Sequence, residues 1–158
     1  MRRRILKGMT TLLIVVGLML VAGVATANGQ SGNTLVAQIP FEFIVGDRAL
    51  ASGEYNVRTV TSAGDALLIK NAGAIDRAIR LTAPIGHENA RAYARLVFHR
   101  YNNRYFLSEV WMSGDSVGRE LRKSAQERAM ARELAAIPAK GDVASGSYEV
   151  IEIVAMVR

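Results

Sequence analysis

The chain has 158 residues, half of them apolar, with 20 Lys and Arg against 14 Asp and Glu, two His and no Cys. The lack of Cys excludes disulfides, thiol catalysis and thiolate metal sites, and two His leave little for an imidazole-based metal centre. All 14 acids lie beyond Ala27, but four basic residues (Arg2, Arg3, Arg4, Lys7) precede it, so residues 28–158 carry only +2 over 131 residues and give no support to nucleic-acid binding.

Residues 1–27 combine a basic start, an apolar run over 12–24 and the small-residue site Ala25-Thr26-Ala27. Those are the three parts of a secretory signal peptide, with cleavage expected after Ala27. The rival is an uncleaved anchor, but the apolar run falls short of the roughly 20 residues that span a bilayer. The expectation is an exported protein, periplasmic or extracellular, with no stable membrane span once the leader is removed.

Residues 28–33 (NGQSGN) read as a disordered lead, and residues 34–158 as a single β domain. Residues 34–45 (TLVAQIPFEFIV) form a strand interrupted at Pro40, which has no N–H to give to a ladder. Turns at 46–48 and 51–53 lead into residues 54–60, where Tyr55 and Val57 share a face. A turn at 62–65 delivers the strand ALLIK (66–70). Beyond the turn at 71–73, residues 76–83 alternate Ala78, Arg80 and Thr82 against Ile79 and Leu81. Residues 84–89 (PIGHEN) read as a loop.

The strongest core signal is residues 91–112, in which two aromatic and β-branched runs flank Asn102-Asn103. Asn tolerates the left-handed backbone of a tight hairpin turn. With a two-residue loop, Phe98 faces Leu107, Leu96 faces Glu109 and Ala94 faces Trp111. Leu96, Phe98, Tyr105, Leu107 and Trp111 then share a mostly apolar face, opposite Arg95, His99 and Ser108. A three-residue loop would slide the pairing by one and turn Val97 and His99 inward. In the first register Arg100, opposite Tyr105, and Glu109 are charges on the apolar face. They are costly there unless paired; the readings are a structural ion pair, a rim position where the face meets water, or a polar handle within an apolar pocket. Arg100, Tyr105, Glu109 and Trp111 are therefore the candidate binding residues.

Ser124 and Glu127 stand as a capping box that starts a helix over about 124–136, ended by Pro138, with an apolar stripe of Met130, Leu134 and Ile137. Residues 147–157 (SYEVIEIVAMV) close the chain as a strand apolar on both faces, which suits a central position. ASGEYNV (51–57) and ASGSYEV (144–150) share a Gly-centred turn feeding a strand. About seven strands, short connections and one helix before the last strand make the fold mainly β: an antiparallel β-sandwich or small β-barrel. Eight membrane-spanning strands would use nearly all the residues and leave no place for the helix.

The segments IPFEFIVGDRALASGEYNV (39–57), LVFHRYNNRYFLSEVW (96–111) and GREL (118–121) resemble a family of small uncharacterised secreted acidobacterial proteins. These share a PFxFxVG…GxYxV opening, an FHRY…RYFLSEVW hairpin and a short helix, often with Pro where Arg122 stands here. The resemblance spans most of the chain beyond Ala27. It implies export and a common fold, and brings no activity, cofactor or site residue.

No catalytic signature stands out. His87 and His99 have no metal-ligand spacing, no nucleophile elbow surrounds a Ser, and the glycines fall singly at turns rather than in a phosphate cradle. The expectation is a non-enzymatic exported β domain without a cofactor, acting by surface binding to a protein, envelope or polymer partner. The alternatives are a carrier of a small apolar ligand in a lipocalin-like cavity, and an enzyme of a type that the residues do not identify.

Overall fold

Alternating apolar residues punctuated by Gly, Asp and Asn turns give ten strands and one helix in the computed structural model, which describes residues 34–87, 92–136 and 148–158. In chain order these are β1 Leu35–Ile39, β2 Phe43–Val45, β3 Arg48–Leu50, β4 Gly53–Thr59, β5 Ala66–Asn71, β6 Arg77–Gly86, β7 Ala94–Tyr101, β8 Arg104–Trp111, β9 Val117–Leu121, α1 Ala125–Ala135 and β10 Glu149–Val157. The leader expected at 1–27, the lead at 28–33 and Ile137 of the helix stripe lie outside the described residues.

The strands form a closed antiparallel barrel in the order β8-β7-β10-β1-β4-β5-β6-β9, and β9 returns to β8. Of the two architectures expected, it is the barrel. Apolar side chains alternate inward: Leu35 and Ile39 from β1, Tyr55 and Val57 from β4, Leu67 and Ile69 from β5, Leu96 and Phe98 from β7. Phe43 meets Tyr55 and Phe98 edge-on, with ring centroids at 4.9 and 5.5 Å, so aromatic rings fill the barrel interior. Glu54, Arg58, Lys70 and Arg77, on the other faces of their strands, are exposed. An apolar inside and a charged outside reverse the pattern of a transmembrane barrel. No helix among the described residues is long and apolar enough to cross a membrane.

One sector of the wall is made of two pieces. β9 pairs with β6 only from Thr82 to Gly86, and with β8 through Glu109↔Glu120 and Val110↔Arg119. Toward the other end of the barrel, β2 lies parallel to β8 at Ile44↔Phe106 and carries β3 on its far side. Phe43 and Val45 point into the core, whereas Ile44 points out and packs under α1 with Tyr101, Phe106, Met130, Ala131 and Leu134. The hairpin β2–β3 thus extends the wall on the β8 side, with no ladder to β6 among the described residues.

The organising hairpin has the two-residue loop: Tyr101 pairs with Arg104, Asn102 takes φ 53°, and Phe98 faces Leu107. Beyond that point the expected register is corrected. A bulge at Ser108 sets Val97 opposite Glu109, Leu96 opposite Val110 and Arg95 opposite Trp111, because one extra residue in β8 inverts every side chain after it. Val110 takes the inward place, and Glu109 and Trp111 turn outward.

Two strands escape the sequence reading, β3 and β9. VGREL holds a Gly and two charges and has low strand propensity. Gly118 is required there, because the Trp111 indole lies over it and a β-carbon would run into the ring. β6 also continues through Pro84 to Gly86, residues expected in a loop. The Thr82 N–H bonds Asp65 toward β5, so Pro84, two residues on, faces the same edge beyond the end of β5, where no donor is needed. β10 holds the expected central position, between β7 and β1, although Val150, Val154 and Met156 on its outer face are exposed.

Candidate functional site: a cationic seam in the barrel wall

The seam between the two wall pieces is an open groove of about 730 Å³, lined by the Gly46 turn, residues 79–83 of β6 and residues 120–123 at the end of β9 and just beyond it. It exists because β9 leaves β6 at Leu121, whereas β6 begins five residues before the partner of Leu121, Thr82. On β6 the polar Arg80 and Thr82 face inward. Ala78 is in the core and Arg80 stands opposite Leu67, while Ile79 (56% exposed) and Leu81 (74%) face out.

Arg80 closes the floor of the groove. Its Nη1 donates to the Ile79 carbonyl at 3.3 Å, and its guanidinium occupies the space a β-carbon would take at Gly46, whose φ of 63° independently favours glycine. Arg80 Nε and the Thr82 hydroxyl are buried without a hydrogen-bond partner. Two more cations, Arg122 and Lys123, line the groove beside one acid, Glu120. Cations that outnumber acids around an opening with unsatisfied donors suit a ligand bearing negative charge.

Arg122 and Lys123 directly precede the cap of α1, and Arg128 Nη1 donates to the Lys123 carbonyl at 2.7 Å. Ser124 caps the helix by accepting from the Glu127 N–H at 3.0 Å, as expected. The Glu127 carboxylate does not complete a capping box but turns inward. There Oε1 accepts from His99 Nδ1 at 3.1 Å and from the Tyr101 hydroxyl at 3.4 Å, with Glu127 only 4% exposed. Because a carboxylate only accepts, it assigns the imidazole proton to Nδ1. Burial first, then the Glu127 charge, pushes the Tyr101 phenol up to about 12 and keeps it a neutral donor. Tyr148 stacks on His99 at 3.8 Å, and the Lys123 ammonium lies 4.9 Å from the Tyr148 ring. This His-Glu-Tyr group has no Ser or Thr nucleophile in hydrogen-bond reach among the described residues. It staples the helix start to β7.

The four candidate residues do not form one site. At the hairpin tip Arg100 lies over Tyr105 at 5.6 Å, donates to the Asn102 carbonyl and pairs with Glu149 at 2.9 Å. Tyr105 stacks on Phe41 at 3.9 Å. Past the bulge, Glu109 and Trp111 are on the opposite face, where the indole N–H donates to Glu109 at 2.7 Å. The buried Arg95, 2% exposed, lies 3.3 Å from Glu152 and over Trp111. Arg100 and Glu109 thus have partners within the chain, whereas Arg95 Nε and Nη1 are buried with no hydrogen bond beyond the ion pair to Glu152.

Sequence reasoning passed over Arg80, Thr82, Arg122 and Lys123. The available signal was Arg80 and Thr82 alternating in phase with Ala78, but hydropathy alone would turn Ile79 and Leu81 inward. Among the described residues no three His, Asp or Glu side chains are placed to hold a metal ion. Compared with known proteins, the chain matches no protein-family model, no curated protein and no solved structure.

Proposed function

We propose that this chain is an exported, non-enzymatic β-barrel domain that works by binding, presenting its cationic seam to a protein, envelope or polymer partner. The observation that carries this reading is the groove itself: Arg80, Arg122 and Lys123 converge on an opening in the wall, with the Arg80 Nε and the Thr82 hydroxyl unsatisfied. Export rests on the basic, apolar and small-residue parts of residues 1–27. The aromatic rings inside the barrel speak against the carrier alternative, in which an apolar ligand would occupy that space.

The test uses the exported protein and a variant with Arg122→Glu and Lys123→Glu, both exposed enough to change without cutting into the core. Each is incubated with envelope fractions and secreted polymer of the exporting cell. Retention by the unaltered protein and loss of retention by the variant is the expected result. Equal retention of both forms overturns the seam as the binding surface. Turnover of a hydrolase substrate that disappears on His99→Ala overturns the non-enzymatic reading.

A further inference from the structure

We infer that the seam takes a strand: an extended acidic peptide segment pairs with the free edge of β6 over residues 77–81. This deepens the binding reading above and rests on it. β5 occupies one edge of β6, and β9 occupies the other only from Thr82 onward, so among the described residues no strand pairs with that second edge at 77–81. Such an edge is a template for a further strand unless it is blocked.

Here arginines guard it. Arg48 Nη1 donates to the Arg77 carbonyl at 2.8 Å and Arg80 Nη1 to the Ile79 carbonyl at 3.3 Å, and both of these contacts are exposed. A guest strand would offer its own N–H groups to those carbonyls and release two guanidinium forks for carboxylates. It would lie on the track that β9 leaves when the chain turns off after Leu121, with Arg122 and Lys123 at the junction.

The side-chain pattern of the guest follows from the pleat. Guest residues beside Arg80 face inward, toward its guanidinium and the Thr82 hydroxyl, and suit Asp or Glu. Their neighbours face outward beside the exposed Ile79 and Leu81 and suit apolar residues. Around the edge the cations Arg48, Arg77, Arg80, Arg122 and Lys123 outnumber the acids Asp47, Asp76 and Glu120. A small anion would use the cations but leave the Ile79–Leu81 row uncovered, which is why the geometry points to a peptide.

The probe is an acetylated hexapeptide of alternating Val and Glu, titrated into the exported protein and followed by calorimetry and amide NMR. Binding is expected, with the largest amide shifts at residues 77–81. Methylating alternate backbone nitrogens of the peptide, replacing Glu by Lys in it, or changing Arg122→Ala with Lys123→Ala in the protein should each weaken binding by about tenfold or more. Arg80→Ala should do the same, and the Arg122 and Lys123 changes keep the test valid if that variant does not fold.

Equal binding of the methylated peptide, or equal shifts with free glutamate or inorganic phosphate, overturns strand pairing in favour of an anion site. Self-association that the same changes abolish overturns it in favour of a second copy of this chain. If no peptide binds while the Arg122→Glu and Lys123→Glu variant still loses envelope retention, this inference falls and the broader reading stands. If neither effect occurs, both fall.

Discussion

At the scale of single residues, the two-residue turn decides the fate of Phe98. Its ring touches those of Phe41 and Phe43 and is fully buried, so Phe98→Ala should cost about 3–5 kcal/mol in chemical denaturation. An unchanged midpoint would remove the aromatic group from the core. Glu109 is a milder case than a charge on an apolar face, since the bulge turns it outward to accept from the Trp111 indole. Gln keeps a carbonyl acceptor at the same place, so Glu109→Gln should shift stability by no more than about 0.5 kcal/mol. A loss of several kcal/mol would instead mean that the charge itself is needed. Tyr101 supplies a pH prediction. Its pKa is raised from 10.0 to about 12, so the folded state holds that proton more tightly than the unfolded chain. The stabilisation is complete below pH 10 and is lost as pH climbs through 12. Tyr101→Phe should flatten that part of the stability–pH curve relative to the unaltered protein; parallel curves would show that the phenol is not linked to folding.

At the scale of elements, α1 was legible at its start and not in its anchoring. Ser124 three residues before Glu127 marks a helix N-terminus in any context, whereas the destination of the Glu127 side chain depends on His99 and Tyr101, 28 and 26 residues away. The apolar stripe contributes Met130 and Leu134 as expected, with Ala131 beside them, over Ile44, Tyr101 and Phe106. Since the helix lies on the outside of the wall, Leu134→Asp should loosen it while the barrel stays folded. The far-UV helical signal should fall with the fluorescence of Trp111 unchanged, and joint loss of both would show that α1 is integral to the barrel. The hairpin teaches a related lesson. Its turn was written in Asn102-Asn103, but a bulge leaves no compositional mark, and Ser108 was indistinguishable from an ordinary strand residue. One inserted position was enough to exchange Glu109 and Trp111 for Val110 on the inner face.

At the scale of the whole molecule, the strand-rich pattern was readable because alternation and turn residues are local. Closure was not, because it depends on VGREL, whose Gly118 makes sense only under Trp111, and on β6 meeting different partners along its length. The seam follows from that same mismatch in strand length, which is why no motif announces it. The place of β10 has a further consequence, for the order of assembly. Glu149–Val157 comes after every other strand in the sequence yet joins β7 to β1, so the N-terminal strand and the organising hairpin have no common ladder until it arrives. Until residues 149–157 are in place, the ring would therefore stay open between β1 and β7. Deleting residues 148–158 should abolish cooperative unfolding, because it removes a stave from the middle of the ring and not a strip from its edge. Supplying that segment as a separate peptide should restore the transition. A deletion variant that still melts cooperatively would show that β1 and β7 can close on each other directly. If complementation succeeds, the barrel behaves as a clasp whose pin is β10, and the moment of its insertion is the moment at which the protein acquires its shape.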